Sequence, residues 1–389
     1  MTQQNMHATT KGRRVRGPVA AIIAVSVLTA CTTETLGAPP QSSIAGVAPS
    51  PSSLAASPTS SAPLPSMGTP TLAFGEPEIV TANLDAPWSV AFHGQTPLVS
   101  ERDTARILEL GSDGSSREVA TITGVTPMGE GGLLGIATHN GYLYSYFTAD
   151  GGNRIERYEI TGRPGELVLG FAETILDGLP SAGYHNGGRI AFGPDGMLYV
   201  TVGDAGNRYS AQNLELPSGK ILRMTPDGAV PEDNPFPDSL IYSYGHRNPQ
   251  GIAWANDGTM YASEFGQNTW DELNVIEPGG NYGWPNVEGI AGEGRFIDPV
   301  QQWGPAEASP SGIAVHNQTI YIANLRGQRL REVALPNVST AVERFVGQYG
   351  RLRDVTVAPD GSLWIITNNT DGRGNPSADD DRIVRFPLT

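Results

Sequence analysis

One histidine, a set of arginines and several amides recur at matching places along this chain. Glu130, His185, Arg247 with Asn248 and Gln250, Ser309 with Ser311, and Arg351 with Arg353 each stand at or just ahead of the start of a short apolar run. Arg326 stands a few residues before an alternating stretch, Arg329-Leu330-Arg331-Glu332-Val333. An imidazole takes up a proton near neutral pH. Guanidinium forks suit planar anions such as carboxylates. If these residues converge, they make a site for an anion coupled to proton transfer. Four arginines gathered in an acidic chain need compensation. Either neighbouring Asp and Glu side chains supply it or a polyanionic ligand does, and spacing leaves both open.

The elements that would bring them together form a repeat of three beats, present six times. The first beat is a short apolar strand, as in Pro87-Trp88-Ser89-Val90-Ala91-Phe92, Gly188-Arg189-Ile190-Ala191-Phe192 and Gly251-Ile252-Ala253-Trp254. A turn and a second strand follow, most clearly at Pro194-Asp195-Gly196, Asn256-Asp257-Gly258 and Pro359-Asp360-Gly361. Asp-Gly between apolar runs is a strong hairpin signal, because Gly takes positive φ without penalty. The third beat alternates, as in Lys220-Ile221-Leu222-Arg223-Met224 and Arg382-Ile383-Val384-Arg385-Phe386. One antiparallel sheet per repeat, with no helical periodicity between repeats, predicts an all-β six-bladed propeller of four-stranded blades. A β-sandwich does not predict six copies. The stretch Pro77 to Asn83 is placed to supply the outer strand of the last blade and close the ring. Innermost strands line a propeller's axis, so the residues ahead of them meet at one mouth of the channel.

Composition agrees. Gly (48) and Pro (31) make about a fifth of 389 residues, which favours short strands and tight turns over helical bundles. The net charge of −15 disfavours a nucleic-acid partner held through phosphates. Lys11, Arg13, Arg14 and Arg16 precede an apolar run, Val19 to Leu28, that is too short to span a bilayer. Leu28-Thr29-Ala30-Cys31 then resembles a bacterial lipobox around the chain's one cysteine. Residues 1–30 therefore read as a lipoprotein signal peptide, with Cys31 the lipidated residue of a protein exported and anchored to the outer face of the cell membrane. Residues 31–75 read as a Ser/Pro/Ala-rich tether and 76–389 as the propeller. A lone cysteine excludes an intramolecular disulfide framework and a multi-thiolate zinc site.

Several runs carry a family resemblance. They are His185-Asn186-Gly187-Gly188-Arg189-Ile190-Ala191-Phe192-Gly193-Pro194-Asp195-Gly196 followed by Leu198-Tyr199-Val200-Thr201-Val202-Gly203-Asp204, then Tyr244-Gly245-His246-Arg247-Asn248-Pro249-Gln250-Gly251, Asp271-Glu272-Leu273-Asn274, Gly279-Gly280-Asn281-Tyr282-Gly283-Trp284-Pro285 and Gly350-Arg351-Leu352-Arg353-Asp354-Val355. Together they resemble the soluble glucose/sorbosone (aldose sugar) dehydrogenases that depend on pyrroloquinoline quinone (PQQ), and most of all the lipoprotein members of actinobacteria. The resemblance implies a quinoprotein that holds PQQ with calcium over the channel mouth. It implies oxidation of the anomeric carbon of an aldose to a lactone, with electrons passed on to an external acceptor.

By the same resemblance His185 is the general base and Arg247 stabilises charge on the quinone, with Asn248 beside it. Arg351 and Arg353 pair with the cofactor carboxylates, with Arg326 and Glu130 also at the cofactor. The backbone carbonyls of Gly266 and Gln267 hold calcium, for which hard oxygen donors are suited. Some positions depart from the family pattern. Glu130 stands where Gln is frequent and is expected to add negative charge beside a trianionic cofactor. Arg326 replaces Lys, Tyr184 precedes the base where an acid often orients it, and Phe265 replaces a polar contact. Two other functions follow from weighing these departures. One is a propeller without PQQ acting as a cell-surface binding module; the other is a calcium-dependent hydrolase, which the arginine-rich mouth argues against. Lys220, the one lysine after residue 30, reads as structural.

Overall fold

The computed structural model describes residues 73–389, so the signal, Cys31 and tether expectations lie outside the described residues. The described chain forms six antiparallel sheets. Their innermost strands are Pro87–His93, Leu133–His139, Ile190–Phe192, Pro249–Trp254, Pro310–His316 and Leu352–Val357. We number the blades one to six in that order. Each innermost strand packs on the next, and the sixth returns against the first. The ring closes as the sequence predicts: Glu78–Thr81 pairs with Ile383–Phe386 as the outer strand of blade six. Two details differ from expectation. Blade two carries an extra two-residue strand, Val168–Leu169. The fold also begins before Glu76, because Phe74 bridges to Leu388 and packs edge-on against Tyr321, Phe345 and Phe386.

The Asp-Gly turns show why the repeat reads so clearly. In blade three the Asp195 carboxylate accepts the Met197 N–H at 3.1 Å and Gly196 takes φ +75°. Asp257 with Gly258, and Asp360 with Gly361, do the same in blades four and six. The Asp side chain completes the turn and Gly accepts the left-handed backbone. These turns point away from the mouth, which leaves the opposite ends of the strands to build a site. The six hydrophobic clusters lie between neighbouring sheets. One joins Leu134 and Tyr146 of blade two to Val200 and Leu222 of blade three; another joins Leu273 of blade four to Ile320 and Ile322 of blade five. Each of these Leu residues is essentially inaccessible to water, and truncation to Ala would cost about 2–5 kcal/mol. Innermost strands approach so closely that a Cβ at Gly251 would collide with the Ser311 carbonyl, which accounts for the Gly opening that beat.

Across the axis a buried ion pair locks four blades. Arg189 donates from Nη1 to Asp354 Oδ2 (2.9 Å) and to Ser89 Oγ (3.1 Å), and from Nε to the Gln250 carbonyl (2.9 Å). This crossbar ties blade three to blades one, four and six beneath the mouth.

Candidate active site

The loops at the mouth enclose a cavity of about 280 Å³. His185, Arg247, Asn248, Arg351 and Arg353 line it, and so do Glu130, Arg326, Gly266 and Gln267. Residues spread over more than two hundred positions thus meet, because each lies at the same end of an inner or second strand.

His185 sits in the loop before the innermost strand of blade three, with φ +59°. That left-handed conformation is uncommon for a residue with a Cβ and needs support from its surroundings. The Glu130 carboxylate supplies some by accepting the His185 backbone N–H at 3.1 Å. The ring's Nδ1 lies 2.7 Å from Asp204 Oδ1. Asp204 also accepts the Gly206 N–H at 2.8 Å and the Trp284 Nε1–H at 2.9 Å. Burial pushes the Asp204 carboxyl up, but the His185, Gly206 and Trp284 donors outweigh it and hold the group below the usual carboxylate range. An ionised Asp204 at Nδ1 fixes the proton there and leaves the Nε2 lone pair free, with no partner among the described residues. Asp204 therefore orients the histidine, the task for which Tyr184 offered no acid. Tyr184 instead lays its ring edge-on to the imidazole, with centroids 4.6 Å apart.

The arginines divide into two kinds. Arg351 meets Asp371 at 3.3 Å, and Arg373, which also lines the cavity, meets Glu130 at 3.2 Å. Glu130 is thus neutralised by Arg373 rather than adding net negative charge to the cavity. Arg353 has no carboxylate within ion-pair distance. It is 4 % exposed and donates only to Gln250 Oε1 (2.9 Å), Asn368 Oδ1 (3.0 Å) and Ser311 Oγ (3.4 Å). Burial, reinforced by the charge of Arg102, pushes its guanidinium down to about 9. Arg247 donates to the Phe265 carbonyl at 3.1 Å and lies 5.5 Å over the Trp284 ring, while its buried Nε has no partner. Burial lowers its pKa too. Arg326 is exposed and unpaired. Asn248 spends its Oδ1 on the Gly187 N–H (3.0 Å), leaving its amide donors without a protein acceptor. The compensation left open by the sequence differs by residue: carboxylates pair with Arg351 and Arg373, whereas among the described residues none lies within 4 Å of Arg247, Arg326 or Arg353 and only more distant ones, such as Asp204 for Arg247 and Asp371 for Arg353, offset their charge.

The Gly266–Trp270 loop wraps Glu288, whose Oε1 accepts the N–H groups of Gln267 (2.6 Å), Asn268, Thr269 and Trp270. The Gly266 N–H goes to Asp271 at 2.8 Å. The carbonyls of Gly266 and Gln267 accept no hydrogen bond from the described protein and remain available as hard donors. Among the described residues no group of three or more His, Cys, Asp or Glu side chains is arranged to hold a metal ion. Lys220 is structural: fully buried, its ammonium donates to the Ser210, Ala211 and Ser218 carbonyls at 2.7–3.0 Å.

Sequence reasoning gave no role to Asp204, Trp284 or Asp271, although all three stand in the runs that carry the resemblance, and it missed Arg373 altogether. A signal did exist for Asp204: it follows the second strand of blade three, Leu198–Val202, and ends of second strands face the same mouth as starts of first strands.

Comparison with known proteins agrees with this geometry. The chain is 45 % identical to the PQQ-bound aldose sugar dehydrogenase (Adh) of Streptomyces coelicolor, with a TM-score of 0.79 over 82 % of this chain and 99 % of that one. It is 30 % identical to aldose sugar dehydrogenase YliI of Escherichia coli over 76 % of this chain and 90 % of the relative. It is 33 % identical to quinoprotein glucose dehydrogenase B of Acinetobacter calcoaceticus, over 56 % of this chain and 54 % of that protein. The Glucose / Sorbosone dehydrogenase model matches residues 84–378, nearly the whole propeller, and the chain therefore belongs to the glucose/sorbosone dehydrogenase family.

Proposed function

We propose that the protein is a PQQ-dependent dehydrogenase that oxidises the anomeric carbon of an aldose to a lactone. The observation that carries this reading is Arg353, a buried guanidinium served only by amides and a hydroxyl, beside a histidine whose free nitrogen is set by an ionised aspartate. A buried cation without a counterion is costly. A multiply charged planar carboxylate offsets that cost, and the orphaned Nε atoms of Arg247 and Arg351 are further donors for it. The residues present thus fit PQQ.

Bound in the cavity, PQQ would supply the two-electron acceptor for the hydride leaving C1. The chain does the rest. His185 Nε2 takes the proton of the anomeric hydroxyl, and Asp204 stabilises the imidazolium that results. Arg247 and Asn248 would offer positive charge and hydrogen-bond donors to the quinone. Arg351 and Arg353 hold the carboxylates, with Arg326 at the open side. Gly266 and Gln267 contribute two carbonyls toward calcium, a fraction of the six to eight oxygens it takes. The concern raised by Glu130 is met by Arg373. Phe265, which lines the cavity, contributes its carbonyl to Arg247. Lipid anchoring at Cys31, on the outer face of the membrane, and delivery of electrons to an external acceptor belong to the same proposal and rest on the sequence.

The test is titration of the apo-protein with PQQ and millimolar calcium, read by quinone absorbance, followed by addition of glucose. Saturable binding and bleaching by sugar are expected. Absence of saturable binding would replace the enzyme reading with that of a surface binding module.

A further inference from the structure

The charge pattern beyond the cavity points to an outer subsite. Twenty arginines lie within the described residues, and sixteen have a carboxylate within 4 Å. The four that do not are Arg247, Arg326, Arg353 and Arg208. In a chain with 40 acidic side chains against 25 basic ones, scattered chance would not leave the unpaired cations in one place. Three line the cavity and are accounted for by the cofactor. Arg208 does not line it and has no role in the reading above.

Arg208 lies beside the catalytic dyad. Its guanidinium stacks over the Trp284 ring at 4.7 Å, the indole whose N–H is held by Asp204. Its Nε is buried without a partner. Arg208 opens a short 3-10 helix, Arg208–Gln212, and the turn that leads into it from Asp204 is tied to His185, whose carbonyl accepts the Ala205 N–H at 3.2 Å. Tyr184 packs over this loop at Gly206, where an added Cβ would lie 2.8 Å from the phenol oxygen. Two aromatic side chains at this rim face water: Tyr209, whose ring centroid lies 6.0 Å from the guanidinium carbon, at 76 % exposure, and Tyr184, packed over Gly206, at 51 %. Tyr and Trp rings with an apolar face and a polar tip suit a ligand that is partly hydrated, as a sugar is. A stacked, half-buried arginine keeps its fork free for an anion.

We infer that Arg208, with Tyr184 and Tyr209, forms an outer subsite that selects aldoses carrying an anionic group, a carboxylate or a phosphate, remote from the oxidised carbon. This rests on the dehydrogenase reading. With C1 at His185, the rest of the sugar extends from the cavity toward the rim, and the far substituent meets the loop.

The experiment compares kcat/KM for glucuronate, glucose 6-phosphate and glucose, using one uncharged mediator, in wild type and in Arg208→Gln and Arg208→Lys. Wild type should favour one of the anionic sugars over glucose. Arg208→Gln should lower that anionic-to-neutral ratio by roughly tenfold, the scale of one charge-assisted contact, mainly through KM. Arg208→Lys should recover most of the ratio. The carboxylate and phosphate arms identify which group the loop accepts. Calorimetric binding of the two anionic sugars to wild type and Arg208→Gln reads the same contact without turnover. If no aldose is oxidised, the dehydrogenase reading fails, and calorimetry alone then decides whether this loop holds an anionic sugar. Equal ratios in wild type and Arg208→Gln, with equal calorimetric affinities, would overturn the inference.

Discussion

Replacing Asp204 by Asn tests the assignment of His185 most directly. The carboxylate takes Nδ1–H of His185 and the Gly206 N–H on one oxygen and the Trp284 indole N–H on the other. An amide cannot satisfy all three. With its oxygen toward the imidazole, its NH₂ meets the indole N–H, which only donates. With its NH₂ toward the imidazole, it opposes Gly206 and drives the ring proton to Nε2, removing the base. Either way the negative charge beside the imidazolium is lost. Two unit charges about 4 Å apart at an effective dielectric near 20 attract by about 4 kcal/mol, or about a thousandfold in rate. Rapid-mixing reduction of the PQQ-loaded enzyme by glucose should therefore slow by about 10²–10⁴-fold, as for loss of a general base. PQQ affinity, read by absorbance titration, should change less than about threefold, because the arginines and carbonyls stay in place. A rate within about threefold of wild type would refute the role of Asp204. A loss of PQQ affinity as large as the loss of rate would show that the residue merely holds the fold.

Other consequences are as specific. Arg353→Met should abolish tight PQQ binding, by about 2–5 kcal/mol, yet leave the apo-protein at least as heat-stable, because a buried cation without a carboxylate is replaced by an apolar chain; a drop in apo Tm would contradict this. Glu109 is buried and accepts the Gly165 and Leu167 N–H groups and Arg117, which outweigh burial and lower its pKa. A depressed folded-state pKa contributes stability that is full above the unfolded-state value, about 4, and is lost as pH falls through the folded one. Glu109→Gln should thus be less stable than wild type by about 1–3 kcal/mol at pH 7, and the gap should shrink below pH 4 in thermal melts. Cys31→Ala should move the protein from the membrane fraction to the soluble one with the propeller's circular dichroism unchanged; retention in washed membranes would remove the lipid-anchor reading.

The blades were legible because their determinants are local. Asp195-Gly196 and its copies specify a turn from the φ of Gly and a side-chain hydrogen bond two residues on, and the alternation in strands such as Lys220–Met224 follows from the pleat. Outer strands were less legible: Val342–Arg344 is three residues long and largely exposed, so it carries little apolar pattern. Convergence of His185, Arg247, Arg351 and Arg353 also followed from the repeat, since equivalent positions in a closed ring share one end.

Which charges meet was decided only by the tertiary structure. Asp354 is next to Arg353 in sequence, yet consecutive residues of a strand face opposite ways, and Asp354 pairs with Arg189 across the axis instead. Glu130 is balanced by Arg373, 243 residues away in another blade. His185 is oriented by Asp204, and Asp204 is held by Trp284 from a loop 80 residues further on. Sequence spacing determines which residues reach the mouth. The pairing among them depends on side-chain direction and on contacts between blades, and that pairing leaves Arg247, Arg326 and Arg353 free for an anion.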